Sequence, residues 1–269
     1  MTRVTLTDGL ALITGAGSGI GEATALRLAR EGTRVLCADI DDEAAGRVAE
    51  ACSAAGAPAA ALRCDVADAP AMIALADSVE REHGPLDILV NNAGVGVLGD
   101  FLGSTVADWE WLRSINLDGV AHGCYAFGPA MTERGRGHVV NVASGAAYVP
   151  NRQMAAYCAS KAAVVSLSQC LRADWARHGV GVSVVCPGVI STPIATNSRY
   201  RGGADGKQSR ADRTLRMGHS PDLVAKAIVS CVQRNRDVVP VGLESTLAYK
   251  LLRGAPQPLL GLVARATAL

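Results

Sequence analysis

Aromatic side chains are scarce in this chain: two Phe, five Tyr and three Trp make up 4% of its 269 residues. A tyrosine is therefore notable wherever it falls, and one stands a helical turn before a lysine in YCASK (157–161). On a helix that spacing puts both side chains on one face. The pair reads either as an ordinary surface pair or as an ammonium placed to make a phenol easier to ionise. Long apolar runs are also missing. No stretch reaches the roughly 18 uninterrupted apolar residues of a membrane span. The run LALI (10–13) is too short for a signal-peptide core and merges into a glycine-rich turn. No charge excess exists, with 26 basic against 25 acidic residues and a net charge of +1. No basic block stands out, which removes the footprint of a nucleic-acid binder. The eight cysteines (37, 52, 64, 124, 158, 170, 186, 231) form no CxxC. The five histidines (83, 122, 138, 178, 219) form no HxxxH or HExxH. A disulfide framework and a metal site are thus not expected; reduced, mostly buried thiols of a cytoplasmic protein are.

What is present is an apolar fraction of 49% with 19% charged residues, enough for a sizeable core. A single α/β domain over 1–269 fits this length. Short apolar runs alternate with longer amphipathic stretches. Strands are expected at 10–15, 34–39, 60–66, 86–94, 138–144, 180–188 and 237–242. Helices are expected at 19–31, 41–55, 68–83, 105–134 and 154–178. The strand runs are continuous rather than alternating, as for strands buried on both faces. This order predicts a Rossmann-like, doubly wound, mostly parallel seven-stranded sheet with helices on both faces. The polar, glycine-containing stretch beginning at 191 breaks the pattern and reads as a substrate lid over 191–218. The tail 243–269 is apolar with two prolines and three basic residues besides its one acid. It could cover a pocket, pack on a neighbouring subunit or rest on a membrane, the last ranked lowest because prolines break a long amphipathic helix.

After the first strand comes TGAGSGIGEA (14–23), with Gly15, Gly19 and Gly21 spaced GxxxGxG and no GK[ST]. Glycines here allow a tight turn and close approach by a diphosphate at a helix N-terminus; a turn that merely packs helix on strand is the other reading. Asp39 ends the second strand and is followed by Ile40, Asp41 and Asp42. An acid there can accept from both adenosine-ribose hydroxyls and repels a 2′-phosphate, which favours NAD over NADP. Capping the next helix is its alternative role. Asp65 closes the third strand, where ligands bind in open α/β sheets, or caps the helix near Asp68.

Taken in order, TGAGSGIG (14–21), Asp39, Asp65, NNAG (91–94), Asn116 in INLDG, Ser144 in VASG, YCASK (157–161) and PGVIST (187–192) resemble the single-domain form of the short-chain dehydrogenase/reductase family over about residues 8–242. The resemblance implies that the turn with Gly15, Gly17, Ser18, Gly19, Ile20 and Gly21 holds the diphosphate. It places Asp39 and Ile40 at the adenosine ribose and Asp65 with Val66 near the adenine. It assigns the adenosine half also to Asn92, Ala93 and Gly94, and the nicotinamide end to Pro187, Gly188, Ile190 and Thr192. It implies catalytic roles for Asn116, Ser144, Tyr157 and Lys161, with Tyr157 and Lys161 also at the nicotinamide ribose. Asn116 is implied to interrupt its helix and hold a water leading to Lys161. Homo-oligomers, dimer or tetramer, through the two long helices are implied as well.

The residue types suit the chemistry. Oxidising a secondary alcohol removes a proton from oxygen while hydride leaves carbon. A tyrosine has a pKa of about 10, and bringing it near neutrality takes about 4 kcal/mol of differential stabilisation of the phenolate. Lys161⁺ supplies one charge and an oxidised nicotinamide another. Ser144 would hydrogen-bond the substrate oxygen. The pocket should involve Ser144, Ala146, Val149, Met154 and Tyr157, with the Val95 region and the lid. Its small, apolar character points to a hydrophobic ketone or secondary alcohol, lipid-like, steroid or terpenoid. Arg152 is the one charge nearby. The alternatives are an NADPH-dependent 3-oxoacyl-type reductase, against which Asp39 speaks, and a non-catalytic dinucleotide-binding protein. Cys158, Trp109 and Trp111 are read as packing residues.

Overall fold

The computed structural model describes residues 4–204, 206, 208–252 and 254. Seven parallel strands form the main sheet: β1 (Leu10–Thr14), β2 (Arg34–Asp39), β3 (Ala59–Arg63), β4 (Ile88–Asn91), β6 (Gly137–Val142), β7 (Val180–Pro187) and β9 (Val238–Val241). Their spatial order is β3-β2-β1-β4-β6-β7-β9. The chain therefore starts in the middle, winds outward to β3, and returns past β1 to build the other half. That reversal opens a crevice at the carboxyl ends of β1 and β4. Two further short strands, β5 (Val97–Leu98) and β8 (Arg199–Tyr200), pair in parallel as a separate ribbon.

The helices are α1 (Gly19–Arg30), α2 (Asp42–Ala54), α3 (Ala69–His83), α4 (Val106–Arg113), α5 (Gly119–Arg134), α6 (Ala155–Trp175), α7 (Gln208–Arg216), α8 (Pro221–Arg234) and α9 (Leu243–Leu252). Both sheet faces are covered because each strand is apolar on both sides. Ala11 and Ile13 of β1 and Val35 of β2 face one core, filled by Leu28, Val48 and Ile228 from α1, α2 and α8. Leu10, Leu12 and Leu36 face the other, filled by Met72, Val79, Phe127 and Met131 from α3 and α5. Odd and even strand positions thus feed opposite cores.

The strands and the first three helices fall where periodicity places them, within a few residues at their ends. The long region expected at 105–134 is one helical path with a π-helical segment, Ser114–Asp118, joining α4 to α5. α8 lies outside the elements expected from periodicity, although its signals are in the chain. Ser220 caps it by accepting from the Asp222 N–H, Pro221 sits in its first turn, and Asn235 ends it in the left-handed conformation. The expected 243–269 tail contains α9; residues 255–269 fall outside the described ones. No helix among the described residues is long and apolar enough to cross a membrane.

His138 on β6 is buried, with Nε2 2.9 Å from Ser183 Oγ. Ser183 gives its own proton to the Arg236 carbonyl, so the imidazole is the donor to Ser183. Burial, and then the Arg172 guanidinium, lowers its pKa to about 4. The unfolded chain protonates near pH 6.5, the folded chain only near 4. Between these values acid favours unfolding, by roughly 3 kcal/mol from this group. Urea unfolding at pH 5 and pH 7 should show a smaller pH-dependent loss in His138→Gln than in the parent; equal losses would contradict this assignment.

Candidate active site

The glycine turn is shaped by close approach. Gly15 has φ +64, and a Cβ there would lie 2.8 Å from the Ala93 Cα. A Cβ at Gly21 would run into the Gly15 carbonyl and lie 2.8 Å from Asn92 Nδ2. The turn is fixed to the segment after β4. Asn92 Nδ2 donates to the Thr14 and Gly15 carbonyls at 3.0 and 3.1 Å. Thr14 Oγ1 accepts from the Asn92 and Ala93 N–H groups at 3.0 and 3.2 Å. Ser18 caps α1 without a side-chain bond to the helix. The first-turn N–H groups of α1, which lack partners within any helix, form the rim of this cradle.

Asp39 does not cap α2. Asp41 does, accepting from Ala44 N–H at 3.0 Å. Asp39 reaches back to the cradle, with Oδ2 accepting from Gly17 N–H at 2.8 Å and Oδ1 from Asp41 N–H at 3.0 Å. Asp68, likewise, is the cap of α3. Asp65 is exposed and accepts from the Ala67 N–H at 2.9 Å. The carbonyl of Val66 lies 2.9 Å from His122 Nδ1.

A cavity of about 520 Å³ runs from the cradle to α6 and α9. Gly15, Ser18, Gly19 and Ile20 line one end, with Asn92, Ala93 and Gly94 beside them. Pro187, Gly188, Ile190 and Thr192 form a side wall. Ser144, Ala146, Tyr157 and Lys161 line it too, with Val149 and Met154. Gly17, Gly21, Asp39, Ile40, Asp65, Val66 and Asn116 stand outside this lining. Gly17 and Gly21 shape the cradle from behind, and the exposed Ile40 flanks Asp39 at the rim.

Ser144, Tyr157 and Lys161 come together because α6 runs back beside β6. Ser144 follows β6 and hydrogen-bonds Tyr157, while its Oγ also accepts from Ala146 N–H at 3.1 Å. Lys161 is buried, donates to the Val142 carbonyl at 3.0 Å, and holds its Nζ 5.9 Å from the Tyr157 ring centroid. The polypeptide alone does not lower the phenol: burial pushes Tyr157 up, and the Ser144 hydrogen bond offsets only part of it. The same burial drives Lys161 down to about 8. The expected acidification pairs Lys161 with a second charge, that of an oxidised nicotinamide, which the polypeptide by itself does not supply.

Asn116 sits in the π-helical segment, fully buried. Its carboxamide is engaged both ways by Val95: Val95 N–H donates to Oδ1 at 2.8 Å and Nδ2 donates to the Val95 carbonyl at 2.9 Å. The helix is widened rather than broken, and Asn116 braces the segment between β4 and β5 beside Lys161. Cys158 turns its Sγ toward the Val149 carbonyl. Arg152 is exposed and outside the lining.

The segments expected at the pocket, the 191–218 lid and the tail from 243, gain named residues in the structure, and the β5–β8 ribbon is added to them. Leu98, Ser198, Tyr200 and Leu215 bring the β5–β8 ribbon and α7 to the cavity, and Glu244, Ser245 and Ala248 bring α9. The ribbon is held by Asp108, a buried carboxylate at the start of α4. It accepts from Arg199 at 3.1 Å and from Arg201 at 2.9 Å through each of two nitrogens. Arg199 also stacks over Trp111, with its guanidinium carbon 3.8 Å from the ring centroid. No local signal in the sequence pairs residues this far apart.

The sequence pattern of the family described as short chain dehydrogenase matches residues 9–201. Over 260 residues the chain is 44% identical to the Mycobacterium tuberculosis protein named probable oxidoreductase EphD, covering 94% of this chain and 44% of that protein. The chain thus spans less than half the length of that relative. It is 42% identical over 185 residues to D-threitol dehydrogenase of Mycolicibacterium smegmatis, covering 69% of this chain and 71% of that protein. The crystal structure of a short chain dehydrogenase/reductase from Burkholderia phymatum in complex with NAD superposes with a TM-score of 0.85 at 32% identity over 92% of each chain.

Proposed function

This chain belongs to the short-chain dehydrogenase family of NAD(P)-using oxidoreductases, and from that premise we propose that it moves hydride between NAD(H) and a hydrophobic secondary alcohol or its ketone. The observation that carries the reading is the meeting of Ser144, Tyr157 and Lys161 on the cavity that the glycine cradle also lines. The cradle fits a dinucleotide: Gly15 and Gly21 let the turn close against Ala93, Asn92 and its own backbone, which leaves the N-terminus of α1 open for a diphosphate.

When bound, the nicotinamide would exchange the hydride and, in its oxidised form, would add the positive charge that the phenol lacks. Tyr157 takes the hydroxyl proton as phenolate, and gives it back as phenol in ketone reduction. Ser144 donates to the substrate oxygen as charge develops there. Lys161, held by Val142, supports the phenolate and the nicotinamide ribose. Asn116 keeps Val95 and the neighbouring backbone in place. The apolar wall, with Leu98, Val149, Met154 and Leu215, supports a hydrophobic substrate over a small charged hydroxy acid. The 191–218 segment acts as the lid of this single catalytic domain. The exposed apolar residues Leu102, Val106 and Tyr125, beside and on α4 and α5, support a homo-oligomer through the two long helices, 105–134 and 154–178.

Asp39 sets the cofactor preference. Its carboxylate is fixed by Gly17 at the adenosine end, and its neighbour across the β2–β3 pairing is the exposed Arg63. Absorbance assays with NAD⁺ and NADP⁺ against alcohols graded in size and polarity test the whole reading. NAD⁺ with bulky apolar alcohols is expected to be best. Asp39→Ser removes the repelling charge and leaves Arg63, so the NADP⁺/NAD⁺ ratio of kcat/KM should rise about a hundredfold. A parent that prefers NADP⁺ would favour a 3-oxoacyl-type reductase. A parent that binds dinucleotide but turns over no alcohol or ketone would favour a non-catalytic binder.

A further inference from the structure

The turn after β7, Pro187–Thr192, forms a side wall of the cavity. Its far end packs on the cradle: a Cβ at Gly19 would lie 3.1 Å from Thr192 Cγ2. Most of its main chain is tied to other main chain. Gly188 N–H donates to the Val241 carbonyl at 2.8 Å, His219 N–H to the Val189 carbonyl at 2.9 Å, and Ser191 N–H to the His219 carbonyl at 2.9 Å. The Val189 N–H is taken instead by a side chain from α9, Glu244 Oε1, at 2.8 Å. The other oxygen, Oε2, lies 3.1 Å from His219 Nε2. One carboxylate therefore holds both the turn and the segment that pairs with it.

Glycines make its seat. A Cβ at Gly242 would lie 2.9 and 3.0 Å from the two Glu244 oxygens, and one at Gly188 would collide with the same carboxylate. Ser245 on the next position of α9 donates to the Cys186 carbonyl at 2.7 Å, just before the turn. α9 is thus fastened to this turn by two consecutive side chains.

We infer that Glu244 is a positioning residue, which fixes the Gly188–Thr192 main chain in the conformation that receives the nicotinamide end of the dinucleotide. The inference rests on the proposed function, since it names what the turn receives. A turn held in its binding conformation beforehand loses little freedom when ligand arrives, whereas a loose turn is ordered at the expense of affinity.

NADH binding to the purified protein, followed by nicotinamide fluorescence, and hydrogen exchange at the Val189 amide without cofactor test this. In Glu244→Ala the NADH Kd should rise about tenfold, the scale of one lost hydrogen bond, and the Val189 amide should exchange faster. Glu244→Gln keeps an oxygen for Val189 and an amide for His219, so both readouts should return close to the parent. A purely structural role would lower the melting temperature without separating these two variants in NADH affinity. A Glu244→Ala protein that binds NADH as tightly as the parent overturns the inference, and so does a Glu244→Gln protein that is folded but as weak as Glu244→Ala. A parent that binds no dinucleotide overturns the proposed function itself.

Discussion

Tyr157→Phe should lower kcat by about 10³-fold, the middle of the range for losing a positioned general acid or base, while NADH still binds as in the parent. Phenylalanine keeps the ring that packs on α6 beside Lys161 and deletes only the hydroxyl bonded to Ser144. Binding in the cradle depends on other groups, so affinity and turnover separate. The pH profile carries the same information. Burial raises the Tyr157 phenol in the polypeptide alone, so alcohol oxidation in the parent should rise with pH as the proton is lost. The residual rate of Tyr157→Phe should lack that rise. A phenylalanine variant as fast as its parent would remove the tyrosine from the mechanism.

Asp108→Ala should destabilise the protein by about 3 kcal/mol, the low end for breaking a buried ion pair because its two arginines are partly exposed. Asp108 is 2% exposed and serves two structures at once. In α4 it completes the capping box with Thr105. From the β5–β8 ribbon it receives Arg199 and Arg201, which flank Tyr200. The Arg201 hydrogen bonds hold its carboxyl well below the usual range in spite of burial. Its stabilisation is therefore intact at neutral pH and lost only as pH falls below the ordinary carboxylate range. Alanine leaves both guanidiniums without this partner and frees the strand that brings Ser198 and Tyr200 to the cavity. Urea unfolding should show the loss, and KM for an apolar alcohol should rise more than KM for NAD⁺. Equal stability, or equal rises in both KM values, would show that the ribbon does not depend on this carboxylate.

The contrast between Asp39 and Asp108 shows where sequence reading reaches and where it stops. Asp39 ends a continuous apolar run that follows a glycine-rich strand–helix turn, so its place at the crevice follows from local order. Whether it caps α2 or faces the cradle was open in the sequence. The structure decides it through Gly17 N–H and through Asp41, which takes the capping role. Asp108 looks like any first-turn helix acid. Its partner Arg201 is 93 residues away, and Arg199 and Arg201 look like solvated loop charges until β8 pairs with β5. Asn116 lies between these cases: the motif points to it, but its bonds to Val95 come from the π-helical widening of the path from α4 to α5.

The sequence by itself determined the alternation of strand and helix, the parallel sheet, the glycine cradle and the tyrosine–lysine face of α6. Each is written in spacing over a few residues, where chain geometry leaves little choice. Only the tertiary structure decided the balance of forces on Tyr157, the ribbon held by Asp108 and the seat of Glu244 against Val189. Those depend on burial and on contacts between distant segments, and burial is a property of the packed molecule that no short stretch of chain carries.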